Sequence, residues 1–532
     1  MKSGEIARSV SRGTFYLAIE KIAALVSGTV YFALLLRWLG PTKYGIMTLA
    51  LSFTGLAAVA TGNFEMYLER FAAEYQARGA YRTLRRSQFL ALGLKLALGV
   101  LASGALVALA PLLARQFNAP DLATLLPVLT LMVAFDGLAT TGRATLYGLQ
   151  RFRTVSALAV AFHLLKTIMV GALWFARLGL PALAAGLAVL SVLQGVVSTA
   201  IPMWLLRNGD DAVPEPRTAS TPGLLRSIFG YCTPLLGARV TFLSGQNLGK
   251  VLLGKLFDAT QLGYFSFAFQ TMERFVELVH TIPSSLLPSL THLVAREERE
   301  RLGYVFDQAF RLIQVTACVL SFGVFVFARE ITLLVGSPLF EPAVPLLRIM
   351  SLAPIARTAQ QPLTMLFQAL RVPGTILGLA LLKFAVEFTG YFTLVPWLGM
   401  LGAGWANLAG AVISYVAALI VLGRLLPEGA SDRARAARVA IVFTGVMLLA
   451  GLLLDRPPIF GWSFFARLAL VPIGGFGLFA LRLITRYDLE KLSSVPLRAA
   501  WMRRPRDGFV AAADRLARAL EPRRAACARR AC

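Results

Sequence analysis

Six cations, Lys21, Lys166, Arg239, Arg274, Arg357 and Lys383, lie near the middle of long apolar runs. The carboxylates Glu20, Asp136, Glu273 and Glu387 lie at similar depth, as does His163. A charge at the centre of a bilayer costs about 2.5–3.5 kcal/mol even on the lenient insertion scale. Side chains of these types at such depth therefore face protein or a wet cavity. Two chemistries follow. Arg grips phosphate oxygens in pairs and Lys supplies a point charge, so a cavity lined by the six cations suits an anionic headgroup. An intramembrane acid or imidazole is a natural relay, which makes Glu20, Asp136, His163 and Glu387 the candidates for coupling to H⁺ or Na⁺. The competing reading is that these charges neutralise one another as buried ion pairs. Lys383 and Glu387 are spaced i,i+4 and Arg274 and Glu277 i,i+3, which puts each pair on one helical face. Lys95, Arg311, Arg348 and Arg467 lie nearer the ends of their runs, where snorkelling to the interface is expected. The four cysteines, Cys232, Cys318, Cys527 and Cys532, show no metal-binding spacing, and no cofactor or metal is expected.

The runs that carry these residues set the fold class. Of 532 residues, 57% are hydrophobic and 15% charged, against roughly 25% charged in soluble domains. Apolar runs of roughly 20 residues, about 30 Å of helix, occur near 14–38, 45–65, 88–113, 122–145, 154–176, 181–206, 228–256, 262–288, 308–334, 343–369, 375–396, 401–425, 437–454 and 461–483. The chain therefore reads as an all-α polytopic membrane protein with about 14 transmembrane helices. The first run is too long for a signal h-region and lacks a small-residue cleavage site, so it reads as a retained span.

An even number of spans puts both termini on one side. The connections on that side include Arg78, Arg82, Arg85 and Arg86, then Arg143, Arg151 and Arg153. With the termini they hold about 35 Lys and Arg against about 7 on the other side, which expects both termini to be cytoplasmic. Topology thus absorbs the net charge of +25, which in a soluble protein would point to nucleic acid. The segment 207–225, with Pro214, Pro216 and Pro222-Gly223, reads as a cytoplasmic linker. It separates an N-terminal six-helix lobe, 1–206, from a C-terminal six-helix lobe, 226–425. Two additional spans occupy 426–485, and a basic cytoplasmic tail 486–532. In that tail Phe509, Val510, Ala513, Leu516 and Leu520 share one helical face, which expects a helix on anionic headgroups, with a disordered tail as the alternative.

The lobes echo each other. Leu39-Gly40-Pro41-Thr42-Lys43-Tyr44-Gly45 turns from the first span into the second, and Leu253-Gly254 with Leu262-Gly263-Tyr264 repeats the pattern about 217 residues later. Gln150 and Arg153 match Gln368 and Arg371 at a shift of 218, and Lys166 matches Lys383 at 217. The Gly-Ala-rich stretch Leu178–Gly186 matches Leu398–Ala406 at a shift of 220. Six spans per copy is even, so the copies enter from the same side as parallel repeats about an axis along the membrane normal. Such repeats keep the substrate path between the two halves, and Lys166 and Lys383 become the sharpest candidates because they are equivalent.

These turns and Gly-Ala-rich openings resemble the bacterial polysaccharide-export flippases of the multidrug/oligosaccharidyl-lipid/polysaccharide exporter superfamily, the Wzx-type O-antigen translocases. The resemblance covers about residues 10–485. It implies two six-helix lobes around a central cavity with two extra C-terminal helices. It also implies a non-enzymatic transporter that flips a polyprenyl-pyrophosphate-linked oligosaccharide to the outer leaflet. Where relatives commonly carry Asp before the Leu-Leu-Gly run of span seven, this chain has Gly249-Lys250, so no carboxylate role is carried over. The lipid-linked oligosaccharide, membrane lipids and polysaccharide polymerase machinery are the expected partners. The expected headgroup ligands are Lys21, Lys166, Arg239, Arg274, Arg357 and Lys383, with Arg37 at the outer mouth. The alternatives are a peptidoglycan-precursor lipid flippase or a multidrug/cation antiporter of the same fold. A polyprenol-dependent membrane glycosyltransferase is disfavoured, because no internal loop exceeds about 25 residues and no acid pair sits in the outward turns.

Overall fold

The computed structural model describes residues 3–207, 221–280, 286–370 and 372–426, with 445 and 449. Expected spans thirteen and fourteen, the basic tail, most of the linker and the side chain of Arg239 lie outside the described residues. Among the described residues every regular element is helical. Two compact units are present. One comprises Met1–Phe267 with Thr332–Pro342 and Val395–Ala403; the other comprises Ala268–Ile331, Ala343–Leu394 and Gly404–Cys532.

The first unit begins with α1 (Ser3–Val59). Its membrane-length part, Ile19–Val59, has 41 residues, about 60 Å of helix and twice the hydrocarbon core. It holds the first two expected spans, because Gly40 at φ 66°, ψ 178° and the following Pro41 break it in two. Only a residue without Cβ takes that φ cheaply. Next come α2 (Glu65–Ala77), α3 (Tyr81–Gln116), α4 (Asp121–Gly148), α5 (Phe152–Phe175), α6 (Leu180–Arg207) and α7 (Thr221–Leu256). The start of α8 (Ala259–His280) completes the series. Helix α4 packs on both α3 and α6, and α1 on α5 and α7. Lipid supplies no hydrophobic drive between helices, so close approach falls to small residues such as Gly142 of α4 against the Ser198 backbone of α6.

The Gly-Pro turn and its echo are packed against each other. A Cβ on Gly45 would strike the carbonyl oxygen of Ala259, and a Cβ on Gly263 would strike that of Pro41. Thr42 and Thr260, 218 residues apart, join hydroxyls at 2.9 Å between them. Each contact is the other moved by the repeat shift, so the duplication read from sequence is a two-fold-like pairing in space. Phe340, fully buried, sits between the turns, 6.3 Å from the ring of Tyr44 and 6.1 Å from that of Tyr264. Arg37 ties down the same segment by donating from Nη2 to the Leu334 carbonyl at 2.5 Å.

The second unit holds the rest of α8, then α9 (Leu286–Ala295), α10 (Arg299–Val326), α11 (Ala328–Ile331), α12 (Val344–Met350), α13 (Ala353–Ala369), most of α14 (Pro373–Leu398) and most of α15 (Met400–Leu425). Its core includes Phe306 and Phe310 of α10, Leu363 and Phe367 of α13 and Tyr415 of α15. Two span boundaries differ from the sequence reading. The expected span at 308–334 stops being α-helical at Ile331, and a π-helical turn follows at Thr332–Gly336. The expected span at 343–369 is two helices, part of a pair bent by 45°. Pro345 and Pro354 each stand in a first turn, where a missing amide costs nothing, so each starts a fresh helix. Among the described residues eight helices are long and apolar enough to cross a membrane, or nine with the bent pair counted as one span.

The paired turns yield a direct test. Thr42→Cys with Thr260→Cys should form an oxidative cross-link in membranes, read as retained full-length mass after cleavage at a protease site engineered between 208 and 220. Gly263→Val, which forces methyl groups against the Pro41 carbonyl, should abolish most of that cross-link; an unchanged yield would refute the close approach.

Candidate functional site

In the first unit the mid-depth charges gather around α5. Lys166 is half-buried, with Nζ 4.7 Å from the centre of the Tyr31 ring on α1, a cation–π contact. Asp136 of α4 is half-buried; Ser191 of α6 hydrogen-bonds it, and Lys166 and Arg143 are the positive charges acting on it. The helix carrying Lys166 is clamped to α1 by Thr167 Oγ1, which donates to the Ser27 carbonyl at 3.1 Å. Glu20 accepts from the Ser156 hydroxyl at 3.0 Å, while Lys21 and His163 are exposed. Helices α1, α4, α5 and α6 thus bring Lys166 and Asp136 into one electrostatic group. Tyr31 and Ser191, which complete it, are neutral and gave no signal in the sequence.

The second unit holds a tighter cluster. Arg357 of α13 pairs with Glu273 of α8 at 2.5 Å, and its guanidinium also lies 5.9 Å from the Phe269 ring. Lys383 pairs with Glu387 one turn along α14 at 3.4 Å. Asn407 of α15 donates to Glu387 Oε1 at 3.0 Å. Glu387 is only 8% exposed, and Arg357, Lys383 and Glu273 all act on it electrostatically. Gly410 of α15 lets the Glu387 side chain lie against the helix backbone. Two cations and two carboxylates therefore form one network, with the Asn407 amide as its neutral anchor. Arg274 is half-buried on α8 beside Glu273. The i,i+4 spacing announced the Lys383–Glu387 pair. The Arg357–Glu273 pair spans two helices and had no such signal. Asn407 could have been found as the lone amide in the apolar run 401–425.

Two charges have structural partners. Arg37, the candidate for an outer mouth, is exposed, with its guanidinium engaged by the Leu334 carbonyl. Lys95 does not snorkel. It is 2% exposed and pairs with Glu65 at 2.7 Å, because α3 turns it inward onto the first residue of α2.

A model of a family described as "Polysaccharide biosynthesis protein" matches residues 34–345. The stage V sporulation protein B of Bacillus subtilis (strain 168) is 21% identical over 465 residues, covering 81% of this chain and 87% of that protein. Two solved transporters share the fold. The lipid II flippase MurJ in an inward closed conformation has a TM-score of 0.59 at 15% identity, with 90% of this chain and 99% of that one covered. A multidrug resistance MATE family transporter of the MOP superfamily, inward-facing, has a TM-score of 0.60 at 15% identity, with 80% and 99% covered. The all-α polytopic architecture read from the sequence is thus matched by the fold, which these two transporters share.

The buried Lys95–Glu65 pair predicts a specific stability pattern. Lys95→Ala removes the cation that compensates the buried Glu65 carboxylate and should cost about 3–5 kcal/mol, whereas Lys95→Met with Glu65→Leu should recover most of that loss. Thermal unfolding of the purified protein in detergent checks both; equal midpoints for Lys95→Ala and the parent would refute the pairing.

Proposed function

The chain belongs to the polysaccharide biosynthesis protein family, and from that premise we propose that it flips a polyprenyl-pyrophosphate-linked oligosaccharide across the cytoplasmic membrane. The reading rests on how the mid-depth cations are held. Arg357 and Lys383 are each kept by one carboxylate and Lys166 by an aromatic face, and none of the three is fully buried. A pyrophosphate can take the place of those carboxylates, since its oxygens match a guanidinium fork and accept several charge-assisted bonds at once. Exchange of one anion for another keeps each cation compensated throughout. Entry of a headgroup then costs less than it would against a bare charge in hydrocarbon.

In this reading the lobes 1–206 and 226–425 alternate access to the two leaflets while the lipid tail stays in the bilayer. Glu387, released from Lys383 but still bonded to Asn407, is the residue best placed to take up H⁺ or Na⁺, with Asp136 its counterpart beside Lys166. Arg274 and, by sequence alone, Arg239 extend the cationic lining. Both termini are cytoplasmic, as the basic loops require, and polysaccharide polymerase machinery receives the product. The protein is a transporter and not an enzyme. Carriage of a peptidoglycan precursor is the second reading, favoured by the fold shared with the lipid II flippase over 90% of this chain, against 80% for the MATE transporter. A cation antiporter fits less well, because the mid-depth charges include six cations and four carboxylates.

Reconstitution in proteoliposomes tests the proposal. Translocation of a fluorescent lipid-linked oligosaccharide should fall about ten- to hundredfold in Lys166→Ala with Lys383→Ala, the equivalent of one or two charge-assisted hydrogen bonds. Unimpaired flipping in the double variant would remove the cavity assignment. Movement of a peptidoglycan precursor but not of the oligosaccharide would select the second reading.

A further inference from the structure

A pocket of about 440 Å³ opens in the first unit, on the face away from the basic loops. That volume lies within the range of about 300–1,000 Å³ typical of small-molecule sites. Three turns build it: the start of the second arm of α1, the α3–α4 turn and the α7–α8 turn. Its floor is apolar, with Ile46 and Leu49, and two rings, Phe117 and Phe257, stand in its wall. Its rim is polar and exposed, with the amides of Gln116 and Asn118 and the hydroxyl of Thr42. Asn118 holds a left-handed backbone, φ 49°, which aims the turn.

The rim charges cancel and are already engaged. Lys255 Nζ donates to the Gln116 carbonyl, lies 3.3 Å from its side-chain oxygen and sits 5.8 Å from the Phe117 ring centre. Asp258 Oδ1 accepts from the Gln261 amide at 2.8 Å, capping the start of α8. An ion therefore gains little here. A ligand with many hydroxyl groups and an apolar face gains from amides, hydroxyl, carboxylate and rings together.

We propose that this pocket binds a neutral saccharide unit, the glycan end of the carried lipid on the face where it leaves. The identity of the ligand rests on the transport reading; the polyhydroxyl chemistry rests on the pocket. Thr42, Gly45 and Ala259 belong both to the pocket wall and to the paired turns. A bound sugar thus touches both repeat-related turns and braces their contact.

The test uses the full chain in detergent and two probes: the oligosaccharides released by mild acid from the source cell's own polyprenol-linked lipids, and inorganic phosphate. The oligosaccharides should raise the thermal midpoint in a saturable way, as any ligand of the folded state does, and phosphate should not. Gln116→Ala with Asn118→Ala should raise the half-saturating concentration about tenfold, the loss of roughly one good hydrogen bond. Phe257→Leu serves as the second variant if the amide pair lowers the unliganded midpoint. No saturable shift, an equal shift in the variants, or a shift reproduced by phosphate would each overturn the site. Saturable oligosaccharide binding without translocation in proteoliposomes would sink the transport reading and leave the pocket standing. Translocation without binding would do the reverse.

Discussion

The first unit depends on two glycines having no side chain. Gly45 lies on the carbonyl of Ala259 and Gly263 on that of Pro41, with the Thr42 and Thr260 hydroxyls joined between them. Lipid supplies no hydrophobic gain to draw helices together. Packing contact and hydrogen bonds must do that work, and both need backbones close. Phe340 fills the remaining space between Tyr44 and Tyr264, and Arg37 anchors the segment that delivers it. The turn at Gly40-Pro41 is therefore one half of a joint, and its sequence echo is the other half.

The second constraint is charge in hydrocarbon. Several of the described mid-depth charges meet it by local compensation: Lys166 on an aromatic face, Asp136 with Ser191, Arg357 with Glu273, and Lys383 with Glu387 and Asn407. The two readings opened by the sequence, structural ion pairs and a lining for an anionic headgroup, are not exclusive in this geometry. A pair at 2.5 Å or 3.4 Å with 15–30% of its basic side chain accessible can be both the resting state and the receptor. Lys95 and Glu65 show the contrast. Both are nearly sealed from solvent, and their pair holds α2 on α3.

Legibility followed the range of the interaction. The Gly40-Pro41 break, the Lys383–Glu387 pair and most of the apolar runs within the described residues are local, set by backbone sterics and helical spacing, and these are found where the sequence puts them. The bent pair Pro338–Met350 and Ala353–Ala369 was half legible: its prolines are visible, but a continuous apolar run concealed the break. Lys95 was misread because run position says how deep a residue lies, whereas its rotation about α3 decides whether it meets lipid or Glu65.

The amino-acid sequence by itself determined the all-helical membrane class, the charge asymmetry between alternate loops and the duplication at a shift near 218. Each is a one-dimensional property of composition, period and spacing. Only the tertiary structure decided that the duplicated turns grip each other, that Arg357 finds Glu273 and that Lys166 finds Tyr31. It also placed three distant turns around one pocket. Those contacts join helices far apart in the chain. They arise where small residues let backbones meet and where a charge excluded from lipid must find a partner, conditions set by the packed neighbours and not by the run that carries the residue.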